Sequence, residues 1–177
     1  MSYTAFEGSR QLACGSLADV TEAVRAAFDR DVAGPLLVLD DATGQQVDLD
    51  LRDAPAAAPP GVEPTRGPGR PRLGVVAREV TLLPSHWEWL GQQPGGASVT
   101  LRRLVEQARK ASAADDRLRT RREAAYRVMQ VLGGALPHYD EISRALFAGD
   151  QHRLEALLAE WPEDVANYVM GRLTSEE

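Results

Sequence analysis

The sequence predicts an α+β protein: a small strand, helix and hairpin unit, a proline-rich linker, a centre of one strand and two helices, and a C-terminal helical cap. Three observations carry this. Short apolar runs and one alternating segment fall within residues 1–53, five prolines interrupt residues 54–69, and beyond them apolar residues recur at spacings of three and four. With 177 residues and 44% apolar composition, the chain can bury one compact core or two small ones.

In residues 1–53, Ser16 and Asp19 form a cap for a helix that places Leu17, Val20, Val24, Ala27 and Phe28 on one stripe, with short strands on either side. Leu36-Leu37-Val38-Leu39 is one arm of a hairpin that turns through Asp40 to Gly44. Val47, Leu49 and Leu51, alternating with Asp48 and Asp50, are the other arm, with one wet face. Pro55, Pro59, Pro60, Pro64 and Pro68 make 54–69 a semi-stiff extended tether, because proline lacks the donor a ladder needs.

The segment 70–112 opens with a strand over Val75 to Leu83. Pro84 ends it and starts a helix, since the first helical N–H has no partner to lose. That helix carries Trp87 and Leu90 and stops at Pro94-Gly95-Gly96. A second helix from about Ala97 or Ser98 puts Leu101, Leu104, Val105 and Ala108 on one stripe, with Arg102, Arg103, Arg109 and Lys110 off it. Some forty residues cannot close a core of their own, so this centre docks on the rest of the chain or on a second copy.

Residues 113–177 form the helical cap. Leu118, Ala125, Val128, Met129 and Leu132 line a helix stopped by Gly133-Gly134. Asp140 is expected to cap Ile142 to Phe147, Asp150 to cap a helix with Leu154, Leu157, Leu158 and Trp161, and Pro162 to restart a last helix bearing Val165, Tyr168, Val169 and Leu173.

The charge is uneven. Residues 66–127 hold thirteen Arg/Lys against six Asp/Glu, net +7, between segments of −7 and −6, within a chain of −6 overall. A positive block of this kind meets either a polyanion or the acidic segments that flank it.

The order Val80-Thr81-Leu82-Leu83-Pro84, Gly95-Gly96-Ala97-Ser98 and Leu101, Leu104, Ala108 resembles the ribbon-helix-helix DNA-binding family. The resemblance implies a homodimer through antiparallel strands at residues 75–83, a ribbon in the major groove, and a phosphate held by the amides opening the second helix at Ser98 and Val99. The reading positions would be Leu82, Val80 and Arg78, or Thr81 and Glu79 on the other face; two of the first three are apolar, which departs from the family. Arg66-Gly67-Pro68-Gly69-Arg70-Pro71-Arg72 resembles an AT-hook arm, which would set Arg70 and Arg72 in a minor groove.

The runs Gly69 to Val80, His86-Trp87-Glu88-Trp89-Leu90 and Leu146-Phe147-Ala148-Gly149-Asp150 resemble the bacterial domain-of-unknown-function family 2239 over nearly the full length. That family supplies relatives and no mechanism.

Enzyme chemistry has thin support. His86, His138 and His152 lack metal-ligand spacing, and no phosphate-binding glycine loop or serine elbow occurs. Asp40, Asp41, Asp48 and Asp50 are the residues a metal-dependent enzyme would use, but alternation puts Asp48 and Asp50 on a wet strand face, where they aid solubility. Cys14, the one cysteine, excludes an internal disulfide and is expected to be a buried structural thiol. No apolar run is long enough to span a bilayer, so a cytoplasmic protein without cofactor is expected.

The resulting expectation is a non-enzymatic homodimer that binds duplex DNA as a regulator or nucleoid-associated factor through Arg70, Arg72, Arg78, Thr81, Ser98, Val99, Arg102 and Arg103. The alternatives are an interaction module whose central segment only dimerises and, third, the aspartate-based enzyme.

Overall fold

The computed structural model describes residues 1–30, 34–51, 76 and 78–174. They form β1 (Tyr3–Glu7), β2 (Arg10–Gly15), α1 (Leu17–Phe28), β3 (Leu36–Asp40), α2 (Pro84–Gly91), α3 (Gly96–Gly133), α4 (Tyr139–Ala148), α5 (Gln151–Leu158) and α6 (Glu163–Thr174). The expected α+β class holds. Two compact units result: Met1–Ala56 with Asp115–Glu177, and Ala57–Ala114.

In the first unit the antiparallel sheet runs β2-β1-β3. Successive side chains leave a strand on opposite faces, and both faces of this sheet are used. Ala5 and Val38 point to Val20 and Val24 of α1, with Val47, Leu49 and Leu51 packed alongside. Phe6 and Leu39, their neighbours in sequence, point the other way into a larger core. There they meet Ala125, Val128 and Met129 of α3, Ile142 and Leu146 of α4, Leu154 and Leu158 of α5, and Val165, Tyr168 and Val169 of α6. The sheet is thus the middle layer between α1 and the helical cap.

α1 begins as expected: Ser16 Oγ accepts from the Asp19 amide, and the Asp19 carboxylate accepts from the Ser16 amide. Leu17 and Phe28, assigned to its buried stripe, are 41% and 64% exposed, because they flank the stripe at either end of the helix. Asp150 caps α5 through the Arg153 amide at 3.0 Å, and α6 starts directly after Pro162.

Four local expectations are corrected. The second hairpin arm is a single bridge, Leu39 to Gln46, followed by coil; one buried face satisfies the alternating Val47, Leu49 and Leu51 without a ladder. The helices expected on either side of residue 112 are one helix, since Ala111 to Ala125 contains neither glycine nor proline. α4 is preceded by His138 in the left-handed region (φ 60°), with no side-chain cap, and Asp140 sits in the first turn instead, where a negative charge meets the helix dipole. Cys14 lies exposed on β2, not buried. The linker 54–69 lies outside the described residues.

Candidate nucleic-acid interface

Pro84 fixes the first turn of α2, and Leu83 accepts from the amides of His86 (2.9 Å) and Trp87 (3.2 Å). Among the described residues of this unit only Leu90 and Thr100 are buried, each 2% exposed. Trp87 and Trp89 are 43% and 48% exposed, and Val80, Leu83, Val99, Leu104 and Val105 are exposed as well. The turn into α3 needs glycine: Gly95 (φ 86°) and Gly96 (φ 75°) both take left-handed backbone, and Gly95 leaves room for the Val99 side chain, which a Cβ would approach to 3.1 Å.

Of the residues expected to contact DNA, Ser98, Val99, Arg102 and Arg103 lie exposed within the first two turns of α3. Arg102 Nε donates to the Ser98 carbonyl at 3.1 Å, which steers its guanidinium along the helix toward the N-terminal turn. Arg78 and Thr81 are exposed, but Arg78 to Leu83 is not a strand in the single chain. A ribbon whose partner strand belongs to another molecule has nothing to pair with in one copy. Arg70 and Arg72 lie outside the described residues.

Further along α3, acids spaced at three or four residues hold several of the cations. Glu106 binds Arg109 (2.9 Å) and Lys110 (3.6 Å), Asp116 binds Arg119 (2.7 Å), and Glu123 lies 3.7 Å from Arg127. The hydrogen bond from Arg109 lowers the Glu106 carboxyl below its ordinary range. Arg127 also donates to the Thr43 carbonyl at 2.8 Å, so it serves the fold. Among the described residues Arg103, Arg117 and Arg121 make no ion pair.

The aspartates considered for metal chemistry have other work. Asp40 Oδ1 accepts from the amides of Ala42 (2.8 Å) and Thr43 (2.9 Å), closing its own turn. Asp41 accepts from Thr4 Oγ1 (2.8 Å) and Tyr168 Oη (2.7 Å) and lies 3.4 Å from Arg172 Nη1. Asp48 and Asp50 are exposed. His86, His138 and His152 lie on separate exposed segments, and no group of three His, Cys, Asp or Glu among the described residues suits a metal ion. Nor is any described helix long and apolar enough to cross a membrane.

Sequence reasoning missed the Asp41–Tyr168–Arg172 cluster, whose members are 127 and 131 positions apart and leave no local pattern. It also missed the closeness of the Arg122 guanidinium to Gly149, where a Cβ would come 2.5 Å from Nη2.

Residues 2–173 match the family described as an uncharacterized protein conserved in bacteria, DUF2239. The chain belongs to that family. No curated protein and no solved structure shows significant similarity to it. For this DUF2239 chain, the distinctive runs thus fall on both units: His86 to Leu90 on α2, and Leu146 to Asp150 at the junction of α4 and α5.

Proposed function

We propose that this chain is a non-enzymatic homodimer that binds duplex DNA through its central basic block, as a regulator or nucleoid-associated factor. The observation that carries the reading is the state of α2 and the start of α3. Two tryptophans and five aliphatic side chains are exposed between Val80 and Val105, where only Leu90 and Thr100 are buried. Clustered exposed apolar residues mark an association surface. Arg102 and Arg103 lie beside the first turn of α3, where free amides favour an anion. Dimerisation places two such turns on one assembly, and phosphate neutralisation by both supplies the affinity.

A second reading is favoured by the ion pairs along α3. Because Glu106, Asp116 and Glu123 offset four of the cations, the positive field is weaker than the count of arginines implies. On that reading the segment only dimerises. Light scattering together with fluorescence anisotropy of a labelled duplex at low salt separates the two. Dimer with duplex binding supports the first, dimer without binding the second, and a monomer at all concentrations contradicts both.

A further inference from the structure

In the unit formed by residues 1–56 and 115–177, a groove of about 510 Å³ is lined by Asp115, Leu118, Arg119, Arg122 and Glu123 of α3 and by Phe147 of α4. Its floor is aromatic. Phe147 is 53% exposed, and Tyr126 supports it from one edge at 5.3 Å between ring centres. Its cation lies beside the α4–α5 junction: a Cβ on Gly149 (φ 73°) would come 2.5 Å from Arg122 Nη2, so the guanidinium tip sits next to the bare Gly149 backbone. The run Phe147-Ala148-Gly149-Asp150 thereby acquires a physical sense: it offers a ring, admits Arg122 and caps α5.

The neighbouring charges divide into used and available. Arg119 is held by Asp116 at 2.7 Å and Glu123 lies 3.7 Å from Arg127, whereas Asp115 and Arg122 form no ion pair among the described residues. An apolar partner would strip water from both without replacing it. A ligand with a flat π face, an amine donor and an anion satisfies all three features.

We propose that this groove binds a nucleotide with an exocyclic amine. The base stacks on Phe147, the phosphate meets Arg122, and Asp115 accepts from the amine, as carboxylates do from cytosine N4. This rests on the nucleic-acid reading of the basic block and gives it a second contact, to an unpaired base. The nucleotide is either free or part of a single strand.

The test is nuclear magnetic resonance titration of the full chain with adenosine monophosphate, thymidine monophosphate and a short oligo-deoxyadenosine strand. The labelled duplex is measured in parallel. Saturable shifts at Phe147 and Arg122 with the adenine probes are expected, and weaker ones with the thymine probe, which has no amine. Phe147→Leu and Arg122→Gln should each reduce affinity about tenfold while thermal unfolding stays cooperative, since stacking on one aromatic ring carries an effect of that order. Response to the mononucleotide alone assigns a free ligand, and tighter binding of the strand assigns nucleic acid. No saturable response to either adenine probe, or wild-type affinity in Phe147→Leu, overturns the proposal. If duplex binding persists in that case, the basic-block reading stands without the groove; if adenine probes bind and duplex does not, the reverse holds.

Discussion

Tyr168 Oη donates to Asp41 Oδ1 at 2.7 Å, and through that contact α6 is fastened to the turn after β3. The same carboxylate accepts from Thr4 on β1, and Arg172 donates to the Asp41 carbonyl at 2.6 Å while its guanidinium lies 4.7 Å over the Tyr168 ring. Strand, turn and terminal helix therefore share one polar junction at the edge of the larger core. Asp41→Ala removes the carboxylate that accepts from Tyr168 and Thr4 and lies 3.4 Å from the Arg172 guanidinium, which keeps its bond to the backbone carbonyl. It should destabilise by about 3 kcal/mol in urea unfolding, as breaking one side of a buried ion pair does. Asp48→Ala, on an exposed coil, should change stability by less than about 0.5 kcal/mol.

Burial, and then the bond to Asp41 and its charge, raise the Tyr168 hydroxyl above its ordinary value of 10. The folded state holds this proton more tightly than the unfolded chain does. The associated stability is present in full below pH 10 and is lost as pH climbs through 10 toward the raised folded value. Unfolding measured across alkaline pH should show that loss, and Tyr168→Phe should shrink it.

Gly44 and Gly8 both take left-handed backbone, at φ 67° and 59°, but their surroundings differ. A Cβ on Gly44 would run into the Ala124 carbonyl of α3, whereas one on Gly8 meets nothing within 4 Å. Gly8→Ala should cost about 1 kcal/mol from backbone strain alone. Gly44→Ala should cost about 2–3 kcal/mol, because overpacking adds to the strain. Equal melting temperatures for the two variants would contradict this account of the turn.

The α1 cap, the proline start of α2 and the Asp150 cap were legible in the sequence, because each depends on residues within four positions of one another. The alternation at Val47, Leu49 and Leu51 correctly marked a buried face and wrongly implied a ladder, since alternation reports burial and not hydrogen bonding. The continuity of α3 was hidden by the fading of its apolar stripe between Ala108 and Leu118. Ser98, Val99, Arg102 and Arg103 fall near the start of one helix, where the glycine turn at Gly95-Gly96 sets its beginning. The Arg122–Gly149 contact and the Asp41 junction depend on tertiary closure and have no local signature.

Association should be visible in tryptophan fluorescence. Trp161 is 5% exposed and its indole donates to the Pro137 carbonyl at 2.7 Å, so its emission should be insensitive to concentration. Trp87 and Trp89 should shift to the blue as copies pair. Leu104→Glu with Val105→Glu places charge on exposed positions of α3 and should abolish that shift and leave a folded monomer, checked by light scattering. Val80→Pro should weaken the pair as well if residues 75–83 meet as a ribbon, because proline removes a ladder donor.

The most direct measurement is the salt dependence of duplex DNA affinity for the wild-type chain and for Arg102→Ala with Arg103→Ala. Each neutralised phosphate contributes a log–log slope of about −0.9, so the double substitution should flatten the slope by roughly one to two units per copy and weaken all sequences alike. Arg78→Ala should instead erase sequence preference and leave most of the non-specific binding. No wild-type binding at low salt, or an unchanged slope in the Arg102/Arg103 variant, would contradict the assignment of the basic block to DNA.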